Sequence, residues 1–201
     1  WYMHSVLENG NEPKTVYAFC KDHGLEESEF YAYFGSFEGL RQNIWLAFFD
    51  NARQVLQQEP SYATYAPKNK LLSLYFTLFE ILTLNRSYIL YSLKDSREGM
   101  KNLHDMKSFR RSFKEFVGSI SQTQDAVSER IAKIKKPVYA EGAWVQFLFI
   151  LKFWMDDNSP AFEKTDIVIE KSVNTVVDLF DTKPLENLFD LGKFLWKERS
   201  R

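Results

Sequence analysis

Phe109, Phe113, Phe116, Ile120, Val127, Ile131 and Ile134 recur at spacings of three, four and seven residues. An apolar stripe of that period lies on one side of an α-helix. It has no counterpart on a strand, whose side chains alternate every second residue. The pattern predicts one long helix, ended by Pro137, because proline has no N–H to continue the ladder. The same period marks Leu40, Ile44, Ala47, Phe48 and Val55 in a helix from about Phe37 to Gln58. It marks Leu71, Leu74, Tyr75, Leu78, Phe79 and Leu82 in another from Lys68 to Leu93. There Phe76, Ile81 and Leu84 occupy other faces, which predicts burial on more than one side. Residues 94–107 are polar and read as a turn or short helix. Ala140 to Met155 is apolar almost all round. Asp156-Asp157-Asn158 is a break. Ser159-Pro160 reads as the N-cap and first turn of a helix to about Phe180. Thr182 to Pro184 open a last helix with Leu185, Leu188, Phe189, Leu195 and Trp196. With only 8 glycines and 6 prolines in 201 residues, little is left to turn a many-stranded sheet, so the expectation is an all-α fold.

Other classes are excluded by what the chain lacks. Its one cysteine, Cys20, rules out an intrachain disulfide or a thiolate metal cluster, fits a reducing cytoplasm, and reads as a small core residue. His4, His23 and His104 form no ligand-spaced pair, so no metal site is expected. The longest apolar runs, LLSLYFTLF and AWVQFLFILKFWM, fall short of the roughly 20 residues that span a membrane. No secretory signal is visible. The chain begins at Trp1 rather than Met, and its natural start is expected to lie upstream. No Ser/His/Asp set, carboxylate pair or phosphate loop stands out, so neither an enzyme nor a cofactor is expected.

The first 45 residues have a different grain. A helix closes at Gly10. Thr15 is placed to cap a short helix, Val16 to His23, with Gly24 as its left-handed stop. Phe30, Tyr31 and Phe34 then fall at helical spacing in a second short helix. Two short helices around a glycine turn describe a helix-turn-helix. Charge runs against that shape. Residues 1–50 hold three basic side chains (Lys14, Lys21, Arg41) against eight acidic ones, and Glu26, Glu27 and Glu29 crowd the second helix. A head that meets phosphate normally carries the opposite balance.

The stretch TVYAFCKDHGLEESEFYAYFGSFEGL (15–40) resembles the TetR family of one-component regulators. The matching positions are Thr15-Val16, Ala18, Gly24-Leu25, Phe30-Tyr31-Ala32-Tyr33-Phe34, Ser36, Glu38 and Leu40. The ending FWMDDNSPAFEKTDIVIEKSV with LFDLGKFLW is similar to a TetR-like C-terminal domain. The resemblance implies a helix-turn-helix head over 1–45 and a helical ligand-binding and dimerisation domain over 46–201. It implies a homodimer on a double-stranded DNA operator, released by a small hydrophobic ligand, away from membranes. Lys14, Thr15, Glu27, Ser28, Tyr31 and Tyr33 would face DNA, with Tyr33 the best contact candidate and Phe34 a packing residue. The departures are Glu26 for the usual capping serine, Glu27 and Glu29 at base-facing positions, and Phe37 for a phosphate-touching lysine. One glutamate is able to read a cytosine amino group; three oppose binding. A basic arm upstream of Trp1 would repair the balance. The alternative is a TetR-fold ligand or lipid carrier that has lost DNA binding.

In the body, Tyr75, Phe79, Tyr88, Tyr91, Phe113, Phe116, Trp144 and Phe147 either line a cavity for a planar or lipid-like ligand or fill a core. Phe149, Phe153, Ile169, Val173, Val176 and Phe180 are candidates for a dimer four-helix bundle, against burial within one chain. Arg110-Arg111 and the cluster Arg130, Lys133, Lys135 and Lys136 read as solvated faces.

Overall fold

A computed structural model describes residues 1–93, 101–120 and 129–180; side chains of 101–102, 129–136 and 177–180 fall outside the description. Helices α1 (Tyr2–Asn9), α2 (Val16–Asp22), α3 (Glu27–Tyr33) and α4 (Phe37–Gln58) come first. Then follow α5 (Pro67–Leu84), α6 (Arg86–Ser92), α7 (Lys107–Ile120), α8 (Glu129–Asp156) and α9 (Glu163–Phe180). Tight 3-10 turns occupy Tyr62–Thr64, Lys101–Met106 and Pro160–Phe162. The described residues contain no strand, as the stripes require. The expected last helix from Thr182, and Val127, lie outside the described residues.

The chain divides into two compact units. One comprises Trp1–Ala63 with Leu74–Phe116; the other comprises Thr64–Ser73 with the chain from Val117 onward. In the first, α4 and α7 meet through rings. Trp45 stacks on Phe109 at 6.2 Å, and Phe49 lies 5.3 Å from Phe109 and 5.9 Å from Phe113. Tyr75 of α5 joins them, 6.1 Å from Phe113. Such pairs add roughly 0.5–1.5 kcal/mol each beyond the area they bury. In the second unit, α8 and α9 form a hairpin. Trp144, Phe147, Ile150, Leu151 and Trp154 on α8, and Ile169 and Val173 on α9, are all buried. Gln146 is buried as well, and its Nε2 donates across the hairpin to Ser172 Oγ at 3.0 Å.

Three boundaries differ from the sequence expectation. The helix drawn from Lys68 to Leu93 is two helices, broken at Asn85. Asn85 turns the chain by donating its N–H to Leu82 O (3.0 Å) and its Nδ2 to Ile81 O (2.9 Å). That is the local competition through which Asn leaves a helix. Pro137 does not end a helix; it lies inside α8. Interior proline costs about 3 kcal/mol, and the burial of Tyr139, Ala140, Ala143 and Trp144 just beyond it offsets that cost. The last described helix starts at Glu163, three residues after Pro160, because the chain reverses first. Ala161 (φ 52) and Phe162 (φ 59) are left-handed.

Candidate nucleic-acid interface

The helix-turn-helix is built by three local devices. Thr15 Oγ1 accepts from Ala18 N at 3.0 Å, which caps α2. His23 N–H closes on Cys20 O, and Gly24 adopts φ 66, a conformation that costs an L-residue roughly 1–2 kcal/mol. Glu29 then reaches back across the start of α3, its carboxylate accepting from Glu26 N at 2.9 Å. This is the return arm of a capping box. It gives Glu26 and Glu29 a structural reason to be there.

Packing fixes the pair. Phe19 of α2 and Phe30 of α3 are buried edge-to-face at 6.3 Å, and Phe37 at the start of α4 lies 5.7 Å from Phe19 and 5.6 Å from Phe30. Phe37, at the position where the resemblance expects a phosphate-touching lysine, is therefore a core wedge. The opposite surface is open. Lys14, Thr15 and Ser28 are exposed, Glu27 is half-buried, and Tyr31 and Tyr33 are 53% and 80% exposed. Phe34 is half-buried beside Phe30 at 5.7 Å, in keeping with a packing role. Burial pushes the Cys20 thiol up, and the Glu27, Glu29 and Glu26 carboxylates push it further. The acidic field thus reaches through to α2.

Sequence reasoning missed a polar knot in the same unit. Glu12 Oε1 accepts from the Tyr2 hydroxyl at 2.7 Å and also from Arg41 Nη1. Arg41 Nε donates to Asp105 Oδ2 at 2.9 Å. Burial works against the Arg41 charge, but its bonds to Tyr2 and Asp105 hold it firmly protonated. Partners 29 and 64 residues away leave no local signature.

The aromatics expected to line a pocket divide between the units. Tyr75, Phe79, Tyr88 and Phe113 are buried in the first, and Tyr91 and Phe116 there are half-buried. Arg53 lies over the Phe49 and Phe116 rings at 5.7 and 5.6 Å. Trp144 and Phe147 belong to the second unit, stacked at 5.2 Å. An open groove of about 770 Å³ occurs elsewhere on that unit, between Phe149, Lys152 and Phe153 of α8 and Pro160, Glu163 and Lys164.

The candidate dimer residues divide too. Ile169 and Val173 are fully buried within the hairpin and so do not present themselves to a partner; Phe153 and Val176 are half-buried. Phe149 is 58% exposed. The Phe180 side chain, like those of Arg130, Lys133, Lys135 and Lys136, lies outside the description.

Asp157 is the cap that the sequence reading gave to Ser159. Its Oδ1 accepts from Ser159 N (2.8 Å) and Oγ (2.7 Å), and its Oδ2 from Thr165 N (3.0 Å) and Oγ1 (2.7 Å). Burial raises the carboxyl, but these four bonds outweigh it and hold it at about 2.

No described helix is long and apolar enough to cross a membrane. A family model described as the tetracyclin repressor-like C-terminal domain matches residues 70–195. No curated protein matches the chain significantly.

Proposed function

This chain belongs to the tetracyclin repressor-like family of regulators, and on that premise we propose that it is a cytoplasmic, homodimeric transcriptional regulator. It binds a two-fold operator through its first 45 residues and is released by a small apolar or aromatic ligand held in the rest. The observation that carries this reading is the α2–Gly24–α3 unit. Its apolar side chains, Phe19 and Phe30, are spent on packing, while Lys14, Thr15, Ser28, Tyr31 and Tyr33 stay available on the surface. Hydroxyl and aromatic side chains with one lysine suit phosphate and groove-edge contacts. Two such heads, one duplex turn apart, read a pseudo-palindrome.

Dimerisation is best supported on the outward side of the α8–α9 hairpin. Val145 and Phe149, four residues apart on α8, are exposed, and so is Ile167 on α9. They suit an isologous four-helix contact. The ligand is assigned to the first unit's aromatic cluster, where Phe116 and Tyr91 are half-buried, Phe113 and Tyr75 are buried, and the latter two rings lie 6.1 Å apart.

One observation favours the second reading, a TetR-fold carrier without DNA binding. Of the three basic residues in the first 50, Arg41 is held by Glu12 and Asp105, leaving Lys14 and Lys21 against Glu26, Glu27 and Glu29. Selection from genomic fragments at low salt separates the two. Enrichment of one palindromic sequence is the expected result. No enrichment, with a hydrophobic molecule co-purifying by native mass spectrometry, would establish the carrier.

A further inference from the structure

Among the described residues, Arg41 of α4 touches both the segment entering the helix-turn-helix and the turn that opens α7. Its Nη1 holds Glu12, three residues before the Thr15 cap, and its Nε holds Asp105, two residues before α7 begins. Glu12 is also tied to α1 through the Tyr2 hydroxyl. Helix α7 in turn carries Phe113 and Phe116, the ligand-facing candidates. A second observation falls on the same knot. The Tyr88 hydroxyl, on α6, is buried and has no hydrogen-bond partner, although its ring packs edge-on against Tyr2 at 6.5 Å. A buried orphan hydroxyl is costly, and a native structure keeps one only for a reason. Tyr2, whose ring Tyr88 packs against, is itself hydrogen-bonded to Glu12 of the knot, and the charges of Asp105, Arg41 and Glu12, with the Tyr91 hydroxyl, act on the Tyr88 hydroxyl.

We propose that Arg41 is the positioning residue of the head, a two-armed clamp whose Asp105 arm opens when α7 moves, with Tyr88 as the spare donor that takes a carboxylate Arg41 gives up. This rests on the reading of residues 1–45 as the DNA-facing part. Guanidinium geometry suits the task because one rigid fork bonds two carboxylates at once; an ammonium is a single point charge on a flexible stem. In the clamped state Arg41 satisfies both acids and Tyr88 is idle. In the opened state Tyr88 pairs with Asp105, and the Arg41–Glu12 arm is no longer anchored to the turn before α7, so the segment from Glu12 to Thr15 is held less firmly.

Hydrogen exchange on the full chain tests the clamp without DNA. Arg41→Gln should lower amide protection in α2 and α3 roughly tenfold or more, the worth of a lost charge-assisted bond, and leave α8 and α9 unchanged. Arg41→Lys should not restore it. Full rescue by Lys, an unchanged head, or an equal loss in both units would overturn the proposal. Tyr88→Phe supplies an independent arm. It should be neutral or stabilising in the natural chain and destabilising beside Arg41→Gln, and an equal effect in both backgrounds would also overturn the proposal. A failed operator selection with these exchange results intact would sink the DNA reading and leave the clamp standing.

Discussion

The α2–α3 and α8–α9 pairs are both helical hairpins, yet they solve the reversal differently. In α2–α3 the turn is made by a glycine in the left-handed region, and the core between the helices is little more than Phe19 against Phe30. In α8–α9 two non-glycine residues, Ala161 and Phe162, are left-handed, and Asp157 holds the reversal with four hydrogen bonds. Behind it stand Trp154, Ile150, Ile169 and Val173. The first pair is a light element whose outer face, with Tyr31 and Tyr33, is exposed. The second puts its side chains into its own interior and affords a strained turn.

The comparison breaks first in the cores. Trp154→Ala should cost about 3–5 kcal/mol, because a fully buried indole leaves a cavity that the hairpin cannot close. Phe30→Ala, in a thinner core able to collapse, should fall at or below the low end of that range; thermal and urea unfolding measure both. A larger loss for Phe30 would reverse the ranking.

Asp157→Asn should cost roughly 1–3 kcal/mol, since a single amide oxygen cannot serve donors from both Ser159 and Thr165. Its acid dependence is more telling. Asp157 sits at about 2 in the folded chain, below the roughly 3.9 of a free aspartate. Its contribution is therefore complete above about pH 4 and is lost as pH falls through about 2. In Asp157→Asn the stability curve between those values should flatten; an unchanged acid limb would remove Asp157 from the account.

The α2–α3 turn predicts smaller losses. Thr15→Ala should destabilise by about 0.5–2 kcal/mol through the lost bond to Ala18 N. Gly24→Ala should cost roughly 1 kcal/mol through its positive φ, with open space around the added methyl. Ala161→Gly should do the reverse, gaining about 0.5 kcal/mol as left-handed strain is relieved and part of it returned as unfolded-chain entropy. A loss there would mean that Ala161 is not strained.

What was legible in the sequence follows the length scale of each interaction. The Thr15 cap and the Gly24 turn act over three or four residues, so their signals lie side by side in the chain. The helical stripes and the family of the C-terminal part were readable for the same reason. Asp157 reaches eight residues forward to Thr165, past the Ser159-Pro160 pair that looked like the cap. Pro137 and Asn85 were misread because burial overrode the one and an amide side chain interrupted the other. The Arg41 clamp joins segments that only the fold brings together. Phe37 and Glu29, which the sequence set down as departures from a DNA-binding pattern, are explained by a core and a cap. Glu27, at the first position of α3, has the helix dipole as its structural role.

The proposal most in need of a test is that this lightly built, acid-bearing head meets DNA, with Lys14 of each of two protomers as its phosphate contact. Titrating the selected fragment from about 50 to 200 mM salt tests it directly. Two neutralised phosphates give a slope near −1.8 in log affinity against log salt, about a tenfold loss over that range. A slope of at least that size, lowered by about 1.8 in Lys14→Ala, is the predicted result. No retention of any duplex at the lowest salt, or an affinity indifferent to salt, would contradict it.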